Sequence, residues 1–202
     1  NGAGKSTTMK MVTGFLPATS GSVSVCGFDV ATQPLAAKER IGYLPEGAPG
    51  YSDMTPEGFL RFCAEVRGLT GEAGRKAVAR AVERTNLQGV LRQPLETLSK
   101  GFKRRVGLAQ AIVHNPDVLI LDEPAAGFNP AEKQELMELI RQIRGQGYTV
   151  LLIEHDMGLV MGVTDRIVVL DFGKIIATGT PAEVQNNPDV IAAYLGVPDD
   201  AA

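Results

Sequence analysis

The chain has no apolar run approaching the roughly 20 residues that a helix needs to cross a bilayer. Its longest hydrophobic stretches, Val118 to Leu121 and Tyr148 to Ile153, are of strand length. Any membrane role must come through a partner, with no direct span. Basic charge is scarce as well: 20 lysines and arginines against 23 acidic residues give a formal charge of -3. The broad positive field of a dedicated nucleic-acid binder is therefore lacking, and nucleic acid is not expected as a partner. Only two cysteines occur, Cys26 and Cys63, with neither metal-ligand nor redox spacing, which suits a reducing, cytoplasmic compartment. Repeats, low-complexity tracts and Pro/Ser linkers are missing too. What remains is 202 residues of 44% hydrophobic content, enough to bury a single-domain core.

The first residues, Asn1-Gly2-Ala3-Gly4-Lys5-Ser6-Thr7, form the back half of the pattern G-x-x-x-x-G-K-[ST]. Gly2 and Gly4 let successive backbone N–H groups turn inward onto phosphate oxygens, Lys5 has the reach for the outer phosphates, and the Ser6 hydroxyl suits Mg²⁺. The run Thr7 to Val12 reads as a helix whose N-terminal dipole favours the same anion. The first glycine of the pattern is lacking, as is an initiator methionine. A truncated chain is the expectation.

Hydrophobic periodicity alternates between helix and strand, which predicts an α/β domain with a mostly parallel sheet. Gly21 to Gly27 and Arg40 to Pro45 read as strands. From about Thr55 to Leu91 the spacing becomes helical, with Phe59, Phe62, Cys63 and Val66 on one stripe and Ala77, Val78, Ala81 and Val82 on another. Beyond Leu98 the spacing predicts a helix over Lys100 to Val113, a strand over Val118 to Leu121, a helix over Ala131 to Arg144 and a strand over Tyr148 to Ile153. A hairpin follows, Arg166 to Leu170 with Ile175 to Thr178, turning at Asp171-Phe172-Gly173-Lys174. Asp-Phe-Gly also matches a kinase metal motif, but no catalytic-loop or strand-lysine motif accompanies it, so the turn is preferred. One domain over 1–202 is expected, divided into a phosphate loop with core strands (1–49), a helical subdomain (50–97) and a final segment (98–202).

Val118-Leu119-Ile120-Leu121-Asp122-Glu123-Pro124 is an apolar strand ending in adjacent carboxylates. In a phosphate-loop fold such a strand delivers them to the nucleotide: Asp122 to Mg²⁺ through water, Glu123 to the water that attacks the γ-phosphate. In Leu98-Ser99-Lys100-Gly101-Phe102, Ser99 is a good N-cap, and with Gly101 it leaves polar groups open at a helix N-terminus. Lys100, Lys103, Arg104 and Arg105 place four cations at that same end, where the dipole disfavours them. A bound anion would relieve the conflict, and a solvated basic face accounts for the charges equally well. His155 follows the strand ending Ile153-Glu154, at the sheet edge where phosphate-loop folds hold nucleotide, and is a candidate γ-phosphate contact. His114 reads as a helix C-terminal residue without a catalytic role.

In this order, the phosphate loop, Ile41-Gly42-Tyr43-Leu44-Pro45-Glu46, Leu98-Ser99-Lys100-Gly101-Phe102, Leu121-Asp122-Glu123-Pro124, Gly127-Phe128-Asn129-Pro130 and Glu154-His155-Asp156 resemble the nucleotide-binding domain of ABC transporters. The resemblance covers nearly the whole chain. It implies a RecA-like phosphate-loop NTPase core with a helical insert, whose N-terminal strands are missing from this chain, and an ATPase that works with ATP and Mg²⁺. Asn1, Gly2, Ala3, Gly4, Lys5, Ser6 and Thr7 would form the Walker A site, with Ser6, Asp122 and Glu46 toward the metal. Glu123 and His155 would be catalytic, as the Walker B glutamate and the switch histidine. Ser99 and Gly101 match the signature motif, which in this family contacts ATP held by the other subunit. The resemblance thus implies a second ATPase subunit, the same chain or a paralogue, and transmembrane permease subunits that hold the ATPase on the inner face of the membrane.

Several positions depart from the family pattern. Glu46 stands where a glutamine is usual, Lys100 and Phe102 replace a Gly and a Gln of the signature, and Asn129 replaces an aspartate. Up to about Leu121 the chain resembles exporter-type ATPases; from Asp122 onward it resembles branched-chain amino-acid importers. Two rival readings are a soluble ABC-type ATPase acting on ribosomes or DNA and a module that binds ATP without hydrolysing it. The short insert and ordinary basic content count against the first, and the presence of Lys5, Asp122, Glu123 and His155 against the second.

Overall fold

The computed structural model describes residues 4–47 and 50–195, so Asn1, Gly2 and Ala3 of the phosphate loop lie outside the described residues. Helix α1 (Lys5–Val12) starts from Gly4, which takes the left-handed conformation with φ 84° that glycine adopts without a steric cost. A hairpin of β1 (Ser24–Val25) and β2 (Phe28–Asp29) follows. The sequence predicts one strand over Gly21 to Gly27, yet the chain reverses inside it. Cys26 and Gly27 both have positive φ, 51° and 85°, and two successive left-handed residues make the tight turn that suits a short antiparallel pair.

The chain continues through α2 (Pro34–Glu39), β3 (Ile41–Leu44), α3 (Pro56–Val66), α4 (Gly71–Arg84) and α5 (Lys100–Ile112). Then come β4 (Val118–Asp122), α6 (Pro130–Gly145), β5 (Thr149–Ile153) and α7 (Met157–Val163). The hairpin β6 (Ile167–Asp171) and β7 (Lys174–Gly179) precedes α8 (Pro181–Gln185) and α9 (Pro188–Leu195). The hairpin turns where predicted, with Phe172 and Gly173 at φ 42° and 80°. No described helix is long and apolar enough to cross a membrane.

Among the described residues β3, β4 and β5 form a parallel sheet in that order. Leu119, Ile120 and Leu121 of β4 are fully buried, as expected of a central parallel strand covered on both faces. Alternate residues serve opposite layers. Leu44, Leu119 and Leu121 join Leu108 and Ile112 of α5 and Leu136 and Ile140 of α6 in one core. Ile41, Ile120 and Ile153 join Met9 of α1 and Val25 in another, which seats α1 on the second face.

The helical insert is built on the first of these cores. Phe59, Leu60 and Ala64 of α3 and Ala77, Ala81 and Val82 of α4 are buried with Val106 and Leu108 of α5. Thr55 caps α3 by accepting from the Gly58 N–H at 3.2 Å. The predicted α3 stripe is split by this packing: Phe59 points inward, whereas Phe62 and Val66 are 44% and 70% exposed. Tyr51 lies beside Phe62, with ring centroids 6.3 Å apart, so the insert carries an aromatic and aliphatic patch on its outer side.

Candidate functional site

Parallel register brings the candidate residues to one edge. Leu44 stands opposite Leu121, and Asp122 opposite Ile153, so the chain leaves all three strands at nearly the same level. Pro45 and Glu46 follow β3, Asp122 closes β4 with Glu123 after it, and Glu154 and His155 follow β5. This carboxyl edge is where α/β folds bind ligands. Met9 packs on Ile120 and Ile153 just below it, which sets α1 under the same edge. Of the predicted phosphate-loop residues, Gly4 lies against the β6–β7 turn, since a Cβ on Gly4 would meet the Gly173 Cα at 3.8 Å. Lys5, Ser6 and Thr7 form the first turn of α1, with Lys5 half-buried and the two hydroxyl residues exposed.

Asp122 is buried at 7% exposure, and its Oδ2 accepts from the Tyr43 hydroxyl at 3.3 Å. Burial, followed by the negative charge of Asp122, pushes the Tyr43 phenol up to about 12, so it stays a neutral donor. Glu123 occupies the left-handed region at φ 42°, a conformation that costs a side-chain-bearing residue about 1–3 kcal/mol. Three hydrogen bonds hold it there: its N–H donates to Ile153 O at 3.0 Å, and its carbonyl accepts from the Ala126 N–H at 3.1 Å and from Arg104 Nη2 at 3.2 Å. The Glu123 carboxylate then stands 3.7 Å from His155 Nδ1. Beside it the Glu154 side chain is 1% exposed and accepts from the Ala125 N–H at 2.8 Å. Asp156 caps α7 through Leu159 N–H and also binds Lys133 of α6; the lysine contact and the cap hold its carboxyl below the usual range.

At the start of α5, a bound anion and a solvated basic face are the two expectations for the cations. Ser99 does cap the helix, accepting from Phe102 N–H at 3.3 Å, and Gly101 leaves open space around it. Each of the four cations, however, finds an acceptor on this chain. Lys100 donates to Gly127 O at 2.9 Å, Lys103 to Glu96 O at 3.0 Å, and Arg105 to Glu135 at 3.2 Å. Arg104 turns inward and is 5% exposed. The conflict with the helix dipole is met internally, so the charges need no bound anion to explain them. Asn129 is likewise occupied, capping α6 in a reciprocal pair with Glu132.

A family model described as ABC transporter matches residues 1–126. The chain belongs to the ABC transporter ATP-binding family. Its members are ATPases that power transport. A second model, the branched-chain amino acid ATP-binding cassette transporter, matches residues 174–200 of this ABC chain. The linearmycin resistance ATP-binding protein LnrL of Bacillus subtilis is 35% identical over 184 residues, 91% of this chain and 59% of LnrL. The high-affinity branched-chain amino acid transport ATP-binding protein LivG of Salmonella typhimurium is 38% identical over 214 residues, covering 97% of this chain and 84% of LivG. The solved structure of cbiO1 from Clostridium perfringens, part of the ABC transporter complex cbiONQ, superposes with a TM-score of 0.85 at 29% identity. That match covers 96% of this chain and 79% of cbiO1. Exporter-type and importer-type relatives both appear, in keeping with the two resemblances in the sequence.

Three residues around this strand edge make contacts that the motifs do not announce: Tyr43, Arg104 and Glu154. Tyr43 reaches Asp122 across 79 residues of chain, so no local pattern announces the contact. Arg104 did carry a signal. It shares the i, i+4, i+7 stripe of α5 with Leu108 and Ala111, both fully buried, and a charged residue in phase with an apolar face is one that must be satisfied inside.

Proposed function

We propose that this chain is the ATP-binding and hydrolysing subunit of an ABC transporter, closing on ATP with a second ATPase subunit and passing that movement to a partner permease. The observation that carries the reading is the convergence of Glu46, Asp122–Glu123 and His155 at the carboxyl edge of one parallel sheet. In this reading Asn1, Gly2, Ala3 and Gly4 supply backbone donors to the phosphates, Lys5 the cation, and Thr7 the polar start of α1 beneath them. Glu123 orients and polarises the attacking water, and His155 contacts the γ-phosphate. Ser99 and Gly101 serve the ATP of the second subunit, a copy of this chain or a paralogue, so each surface is used twice in a symmetric pair.

The site residues fit Mg²⁺. Among the described residues the Asp122 carboxylate makes one hydrogen bond, to a neutral phenol, and Ser6, Asp122 and Glu46 offer only oxygens, the donor type this ion prefers. When bound it would neutralise charge on the β- and γ-phosphates.

The exposed Tyr51, Phe62 and Val66 patch and the Glu46 loop form the permease docking surface in this reading, which keeps the subunit at the inner face of the membrane. The importer direction has a specific observation behind it, the branched-chain amino acid transporter model over residues 174–200. Equilibrium binding of Mg-ATP to the full subunit and to Lys5→Ala tests the reading. Loss of about tenfold or more in affinity is expected for the variant, and equal affinity would remove the phosphate loop from the account.

A further inference from the structure

The geometry points to Arg104 as a positioning residue that ties the Glu46 loop to the backbone of Glu123, so that neither shifts without the other. Its Nη1 donates to Pro45 O at 3.1 Å and to Gly47 O at 3.0 Å, the carbonyls on either side of Glu46. Its Nη2 donates to Glu123 O at 3.2 Å. One planar group therefore holds two segments that are far apart in sequence, and a rigid fork transmits displacement in a way that a single-point ammonium does not.

Several features favour a coupling role over mere packing. Glu123 is held in a left-handed conformation, and Arg104 supplies the one side-chain hydrogen bond among the three on its backbone, sharing the Glu123 carbonyl with the Ala126 N–H. Losing that bond leaves the Glu123 carbonyl to the Ala126 N–H alone, at 3.1 Å, and loosens the peptide that aims the carboxylate. The guanidinium is 5% exposed, so water cannot readily replace it. Its charge is offset by Glu154, buried nearby on Ala125 N–H, and by Glu46 itself. The catalytic consequence rests on the proposed function, in which Glu46 lies on the permease-facing loop and Glu123 acts on water. Arg104 then sets the position of the carboxylate according to the position of that loop.

The test compares Arg104→Met and Arg104→Lys with the unaltered subunit by amide hydrogen exchange, Mg-ATP affinity and turnover. Faster exchange is expected together in peptides covering 43–47 and 122–126, with the remainder of α5 still protected. Turnover should fall about 10²-fold, the scale of a misplaced catalytic group, while ATP affinity changes less than about threefold. Lysine should restore protection in one segment and leave turnover low. Unchanged exchange in either segment would overturn the proposal, as would full rescue by lysine or a parallel fall in affinity and turnover. If Arg104→Met does not fold, the lysine variant decides alone. An unaltered subunit that neither binds nor hydrolyses ATP would refute the ATPase reading, and the exchange pattern would still judge the tie between the two segments.

Discussion

His155 Nδ1 stands 3.7 Å from Glu123 Oε2, with the imidazole 66% exposed and the carboxylate 20%. The separation exceeds a hydrogen bond, and catalytic contacts of this kind often tighten only when substrate is present. The pair belongs to adjacent strand ends, and the Glu123 N–H is already anchored on Ile153 O two residues before His155. Substrate that draws His155 inward therefore meets the carboxylate without rearranging the sheet.

Replacing His155 with alanine should reduce turnover by about 10²-fold or more, the usual range for a positioned catalytic side chain. Stability should change little, because an exposed ring contributes few packing contacts. Steady-state phosphate release and a thermal melt check the two halves of this statement.

Gly42 marks where β3 touches α5. A Cβ there would lie 2.2 Å from Ala111 O and 2.9 Å from Pro116, and neither neighbour is a flexible side-chain end. Gly42→Ala should destabilise the fold by about 1–3 kcal/mol through overpacking. Denaturant unfolding measures it.

His114 should make stability pH-dependent. Its Nε2 lies 3.1 Å from Ile41 O, its Nδ1 is buried without a partner among the described residues, and burial, followed by the charge of Arg67, lowers its pKa from 6.5 to about 4. Below about 6.5 the unfolded chain takes up a proton that the folded one refuses until about 4. Stability from this group is thus complete above that window and falls as pH drops from 6.5 toward 4. His114→Gln should flatten the dependence between those limits in urea titrations at stepped pH.

The parallel strands and the order of the motifs were legible because each strand is a short apolar run ending in polar residues that cannot be buried unpaired. The β1–β2 reversal was hidden, since Cys26 in a left-handed conformation is a choice that the Val-Cys-Gly sequence does not announce. The separate fates of the α5 cations were hidden for another reason. Charge counted along a helix says nothing of which side chains face the sheet, and Arg104 faces it while Lys100 bends back onto Gly127. Tyr43 and Glu154 belong to the site only through contacts between strands, which exist once register is set.

Turnover of Glu123→Gln, measured as phosphate release beside Mg-ATP affinity, tests the central claim most directly. The substitution keeps size and hydrogen-bonding capacity and removes the charge that polarises water. Hydrolysis should fall at least about 10²-fold while ATP affinity stays within a few-fold of the unaltered subunit. Undiminished hydrolysis would contradict the assignment of Glu123 and, with it, the proposed chemistry of the site.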